Sequence, residues 1–145
     1  ESIGVFSQSK QVINLLATRL RTKDIPAGIL TGDTKQADRD TLIEDFQRKR
    51  SRVFAGTIKA GGVGITLTAA STGVFLDRDW SPSVNRQGED RFHRIGQRNA
   101  VHIMDLIGRG TVDLGKMQKV ELKWSWIKEL LGDPREVKKR MERSK

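Results

Sequence analysis

This sequence predicts an α/β fold: a parallel sheet covered by helices on both faces. Short apolar runs alternate with helical patterns along most of the chain. The helical stretches are about ten to fifteen residues long, the length of a βαβ crossover. Polar, glycine-bearing loops follow the apolar runs. The crossovers are expected to be right-handed.

IGVF, Ile3 to Phe6, reads as the first strand, followed by a helix with Val12, Ile13, Leu15, Leu16 and Leu20 at helical spacing. AGIL is the second strand, and the pattern from Gln36 to Lys49 turns Leu42, Ile43 and Phe46 inward. RVFAG, TGVFLD and VHIMDLI supply the remaining strands, with QGEDRFHRIGQR, Gln87 to Arg98, read as a helix that stops at Gly96. The last helix, about Val112 to Leu131, carries two apolar stripes. Met117, Val120, Trp124, Ile127 and Leu131 should pack on the sheet. Leu122, Trp126 and Leu130 lie about 130° round the helix, facing either a second neighbour or deeper burial. A charged tail, GDPREVKKRMERSK, follows.

A chain of 145 residues suits one domain. It opens ESIGVF without an initiator Met, so a longer protein is expected around it. No run approaches the roughly 18 apolar residues of a membrane span, so a soluble, intracellular unit is expected, in a nucleus or a bacterial or virus-infected cytoplasm. Cysteine is absent and the two histidines, His93 and His102, stand apart, which excludes disulfides, thiolate zinc and clustered-histidine metal sites. The net charge of +9 favours a polyanionic partner such as nucleic acid.

In parallel sheets ligands bind at the loops leaving the carboxyl ends of the strands. Here those loops are FSQS, TGDTK, GTIKAGGVG and DRDWSP. GTVDLGKM has the skeleton of a phosphate loop but places Met117 where Ser or Thr should hold magnesium, inside an apolar helical pattern. It reads as a chance match, so any triphosphate cradle must come from another domain. In a helix Gln87, Arg91 and Arg94 fall on one stripe, where two guanidiniums could meet the charge that develops on a transferring phosphoryl group. The plainer alternative is an Asp90–Arg94 surface pair. In the loop from Ala55 to Ser71, Gly61, Gly62 and Gly64 allow close backbone approach to a ligand, Thr57, Thr66 and Thr68 add hydroxyls, and Lys59 adds charge. Thr34 could serve only as a helix N-cap.

FSQ, LTGDTKQADRDTLIEDF, GTIKAGGVGITLTAAS, FLDRDWSP and QGEDRFHRIGQ occur in this order. Together they resemble the second RecA-like lobe of the Swi/Snf-type DNA-dependent ATPases in helicase superfamily two, from about Gly4 to Leu114. RNA helicases with an Asp-Glu-Ala-Asp box usually continue the last motif as HRIGRTGR. Here it reads HRIGQ, and RDWSP is similar to the Swi/Snf Trp-Asn-Pro loop. The resemblance therefore implies duplex DNA as partner.

It also implies roles. Gln87, Arg91 and Arg94 would reach ATP bound with Mg2+ mainly by a first, N-terminal RecA-like lobe, and Gly62 and Gly64 would line the nucleotide side of the cleft. Ser7, Gln8, Gly32, Thr34, Lys35, Thr57, Lys59 and Trp80 would face DNA. Departures are Ser81-Pro82 for Asn-Pro, Gly88 inside the arginine-bearing motif, and LGKMQKVELKWSWIKELLG after GTVD. The expected division is a lobe over 1–112, an amphipathic helix over 113–132 whose Trp126 face meets a protein partner, and a basic tail over 133–145. The implied activity is ATP-driven translocation on double-stranded DNA, inactive without the first lobe. The alternatives are a non-catalytic binding module or an RNA-directed lobe.

Overall fold

A computed structural model describes residues 1–60, 64–108 and 112–131. Five strands, β1 (Ile3–Ser7), β2 (Ala27–Leu30), β3 (Val53–Thr57), β4 (Thr72–Phe75) and β5 (His102–Asp105), form one sheet in the order β2-β3-β1-β4-β5. Every pairing is parallel, with Val5 of the central strand opposite Ala55 on one side and Val74 on the other. The helices are α1 (Lys10–Arg21), α2 (Gln36–Gln47), α3 (Pro82–Glu89) and α4 (Val112–Leu131). This is the parallel α/β sheet that the alternating pattern predicts, and the RecA-like architecture that the resemblance implies.

One face of the sheet packs Val5, Val53 and Ala55 against Ile13, Leu16 and Leu20 of α1. The other packs Phe6, Phe54 and Phe75 against Phe46 and Leu42 of α2 and Val84 of α3. All five phenylalanines, Phe6, Phe46, Phe54, Phe75 and Phe92, are fully buried. Each contributes about 1.5–3 kcal/mol over an exposed ring, which makes this second face the main anchor of the sheet. Val12 and Leu15, expected with the α1 stripe, are instead exposed, because α1 meets the sheet along the narrower line of Ile13, Leu16 and Leu20.

The largest departure from the sequence reading concerns the segment Gln87 to Arg98. Helix α3 starts earlier, at Pro82, and ends at Glu89. Pro82 occupies the first turn, where its fixed φ and missing N–H cost nothing. Gly88, unexpected in a helix, lies close against Phe75: a Cβ there would come within 3.1 Å of the ring. Beyond Asp90 the chain leaves helical geometry and drives Phe92 into the core, edge-on to Phe6 at 5.9 Å between ring centroids. The Arg91 carbonyl accepts from the Leu67 N–H, and Gly96 turns the chain at φ +103°.

Phe92 lies against two strands that have glycine where the ring passes. A Cβ on Gly4 would stand 2.5 Å from the ring and one on Gly73 2.6 Å. Gly73→Ala is therefore expected to lower stability by about 1–3 kcal/mol, because the ring has no space to retreat. Thermal unfolding measures this, and Phe92→Leu in the same molecule should recover part of the loss.

Helix α4 was expected on the sheet. It packs instead across α3 and the loop after β4, with Trp124 facing the Arg86 guanidinium at 5.6 Å. Met117, Val120 and Trp124 line a cleft of about 290 Å³ between α4, α3 and the end of β5. The second stripe, Leu122, Trp126 and Leu130, is exposed. Side-chain placement of Leu131 and the whole charged tail lie outside the described residues. Gly115 and Lys116 fall inside α4, not in a strand-to-helix loop, so the GKM sequence has no phosphate-loop geometry.

Candidate nucleotide- and nucleic-acid-facing edge

The carboxyl ends of the strands bring the loops after β1, β2, β3, β4 and β5 to one edge, as open parallel sheets do. At its centre Ser7 is fully buried, and its hydroxyl donates to Asp77 at 2.5 Å while accepting from the Ser9 N–H at 2.9 Å. The Gln8 N–H donates to the other oxygen of Asp77 at 2.7 Å, leaving the Gln8 side chain exposed. Ser7 thus shapes the turn, and Gln8 is the residue that faces outward. Asp77, which sequence reasoning passed over, is the acceptor that holds this turn.

The loop after β2 closes on itself. The Thr34 hydroxyl accepts from the Thr31 N–H at 3.0 Å, so it is not the N-cap of α2; that position falls to Lys35, whose side chain makes no capping bond. Gly32 and Lys35 are exposed, and Lys10 pairs with Asp33 across to α1. Arg39 ties this loop to the next: it donates to the Thr34 carbonyl at 3.2 Å and to the Ala60 carbonyl at 3.3 Å.

After β3, Thr57 is buried and its hydroxyl accepts from the Ala60 N–H at 3.2 Å. Lys59 reaches Asp79 at 3.3 Å. Burial works against the Asp79 carboxylate, but the Ser81 N–H and the Lys59 ammonium outweigh it and hold the acid below its ordinary range. Buried Asn85 fixes the same loop to α3 by exchanging two hydrogen bonds with the Asp79 backbone, at 2.8 and 2.9 Å. Trp80 stands 47% exposed beside it, with the Lys116 ammonium 5.1 Å over its ring and Lys123 donating to its carbonyl. Lys59 and Trp80 are therefore neighbours, joined through Asp79.

The three residues of the predicted stripe separate. Gln87 is exposed near the end of α3. Arg91 is only 3% exposed and points inward: one Nη donates to the Ile58 carbonyl at 2.5 Å, and the guanidinium lies 4.7 Å from the Phe6 ring centre. Its other Nη is buried without a partner. Burial, with a smaller contribution from the charge of Arg94, lowers the Arg91 pKa to about 10, so the side chain stays cationic at neutral pH. Arg94 is exposed and donates to the Gly64 carbonyl at 3.1 Å and the Thr66 hydroxyl at 3.4 Å. Asp90 pairs with Arg86, at 3.7 Å, and meets Arg94 only through its backbone carbonyl, so the anticipated Asp90–Arg94 side-chain pair does not form. Both arginines hold the loop after β3, Arg91 near its start and Arg94 near its middle. Gly64, at φ +114°, occupies a conformation that favours glycine, while Gly61 and Gly62 lie outside the described residues.

Arg78 was a second omission of the sequence reading. It bonds both oxygens of Asp105, at 2.5 and 2.9 Å, and Glu89 at 2.7 Å, with its guanidinium 3.9 Å from the Phe75 ring centre. Burial opposes its charge, but Asp105 and then Glu89 more than compensate and hold it above the ordinary arginine value. It locks β4, α3 and β5 together. Among the described residues no group of three His, Cys, Asp or Glu could hold a metal ion.

Comparison with known proteins agrees with this architecture. The family of the helicase conserved C-terminal domain matches residues 1–96. The chain is 40% identical over 114 residues to the Bacillus subtilis protein YwqA, covering 78% of this chain and 12% of that one. It is 41% identical over 120 residues to the helicase SWR1 of Cryptococcus neoformans, covering 82% of this chain and 10% of that one. The C-terminal part of the Fun30 ATPase domain superposes with a TM-score of 0.78 at 34% identity, over 83% of this chain and 39% of that one. The chain thus spans about a tenth of the full-length relatives it matches. With the motif order, the parallel RecA-like sheet and these matches in agreement, the chain belongs to the helicase C-terminal domain family, as a C-terminal RecA-like lobe of the Swi/Snf type.

Proposed function

We propose that this chain is the second motor lobe of an ATP-driven translocase on double-stranded DNA, with the lobe itself spanning 1–112. One observation carries the reading: two arginines of a single motif grip one loop, Arg91 buried at Ile58 and Arg94 exposed at Gly64. The buried guanidinium sets the loop, and the exposed one is free to exchange a carbonyl for a stronger anionic partner.

ATP with Mg2+, held mainly by a first lobe, supplies a phosphoanhydride whose cleavage spreads charge over the γ-phosphoryl oxygens. The exposed fork of Arg94 suits an anion, whereas the described residues form no phosphate cradle of their own. Arg94 would leave Gly64 to stabilise that charge, with Arg91 positioned behind it, Gln87 orienting a water or phosphate oxygen, and Gly62 and Gly64 permitting close backbone approach.

Gln8, Gly32, Lys35, Lys59 and Trp80 would meet the DNA backbone, while Ser7, Thr34 and Thr57 shape the turns that carry them. Such contacts read no sequence and weaken with salt. Arg39 joins the two functions, since it bonds both the Gly32–Lys35 loop and the turn that Arg91 holds. The exposed Trp126 face of α4 is left for a protein partner. The test is ATP turnover by this chain alone and by the two lobes joined, with and without duplex DNA. Turnover that needs both lobes is expected; turnover by the 145 residues alone, lost on Arg91→Ala, would contradict the shared site.

A further inference from the structure

Among the described residues, a second group of cations lies away from the proposed DNA track. Along the described carboxyl-edge loops, Lys10, Lys35, Lys59 and Arg78 stand beside Asp33, Asp77, Asp79 and Asp105, while Arg39, Arg91, Arg94 and Lys116 add further cations. Lys10, Lys59 and Arg78 are moreover paired directly with those acids. The opposite, amino edge of the sheet also carries cations, with few acids beside them.

Arg19 and Arg21 end α1, and Lys23 follows them in the loop to β2. The loop from α2 to β3 adds Lys49 and Arg52, all five being exposed and without an ion pair among the described residues. Arg48 and Arg50 in the same loop are paired with Glu44 and Asp45, and Asp24 and Glu1 are further acids at this edge. The two loops form one surface, because β2 and β3 are adjacent and the Arg52 and Val53 N–H groups both donate to the Pro26 carbonyl, at 3.0 and 3.3 Å. The loops are also firmly held: Asp24 and Lys49 take left-handed turns, at φ 53° and 59°, and the Arg50 N–H donates to the Asp45 carbonyl at 2.8 Å.

Arg19 and Arg21 also complement the carboxyl end of α1, an ordinary structural use of cations. That account does not extend to Lys23, Lys49 and Arg52, which lie beyond the helices. The loop from α2 to β3 exposes no apolar side chain, and the exposed Leu15, one helical turn before Arg19, and Pro26 lie beside the cations and not at their centre, where a protein-binding surface usually has an apolar anchor. Exposed guanidinium forks and ammonium groups gathered in this way suit phosphodiesters.

We infer that this amino edge is a second, sequence-independent contact for a DNA phosphate backbone, on the side of the sheet away from the motor track. A protein with both edges can hold one duplex segment while moving on another.

The experiment loads the complete protein with one immobilised duplex and measures capture of a second, labelled duplex as salt is raised. The variant replaces Arg19, Lys23, Lys49 and Arg52 by Gln, all exposed and none in the motor machinery. Wild type should capture the second duplex, and the variant should lose capture at least ~10-fold. The slope of log affinity against log salt should become shallower by about 3.6 for four phosphate contacts. A charge-keeping variant, Lys for Arg and Arg for Lys at the four positions, should capture normally, and DNA-stimulated ATP hydrolysis should be unchanged in both. Equal capture by the Gln variant, no capture by wild type, loss of capture in the charge-keeping variant, or displacement of the second duplex by polyglutamate but not by competing duplex would each overturn the inference, the last in favour of an acidic protein.

Discussion

Arg91→Ala should weaken the fold and abolish ATP hydrolysis by the complete protein together. The substitution leaves the Ile58 carbonyl without its buried donor, at about 1–3 kcal/mol, and removes the guanidinium from the Phe6 ring, at about 0.5–2 kcal/mol. Relief of the desolvated charge returns part of this, since burial is what depresses the arginine pKa. A net loss of about 1–3 kcal/mol is expected, read as a lower unfolding temperature. Arg91→Lys should not restore the fold, because an ammonium cannot reproduce a planar group bonded at Ile58 while stacked on Phe6. ATP turnover should fall by orders of magnitude in both variants, because the loop that carries Gly64 loses its inner support.

Arg94→Ala should separate the two effects. Its bonds to Gly64 and Thr66 are made at the surface, so their removal should change stability by no more than about 0.5 kcal/mol. Hydrolysis should nevertheless fall about a thousandfold, the scale of an arginine that stabilises a phosphoryl-transfer transition state. Arg94→Lys should recover little, because a point charge cannot replace bidentate contact. Calorimetry beside steady-state ATPase on the same preparations distinguishes a lost fold from a lost fork. A large fall in unfolding temperature for Arg94→Ala would mean that this arginine, like Arg91, acts through the loop.

The sheet was legible because strands and helices differ in period, and AGIL coincides with β2 from Ala27 to Leu30. The motifs were legible because parallel strands deliver their following loops to one edge. What stayed hidden depended on strand order and on core demand. Asp77 meets Ser7 because β4 lies beside β1, an adjacency that local sequence does not encode. Arg78 joins Asp105 and Glu89 for the same kind of reason, since those acids arrive from β5 and α3.

The stripe of Gln87, Arg91 and Arg94 assumed an unbroken helix, and helical period alone cannot reveal that Phe92 leaves it to fill the space over Gly4 and Gly73. The same displacement turns Arg91 inward. The basic amino edge was equally invisible, because charge counting has no direction until the sheet gives it one.

The account rests most directly on steady-state ATP hydrolysis by the two lobes joined, measured with duplex DNA, with RNA of the same length, and with neither. The prediction is a low basal rate that duplex DNA raises and RNA does not. A rate indifferent to duplex DNA, or one that RNA raises more, would contradict the proposal that this lobe belongs to a double-stranded DNA motor.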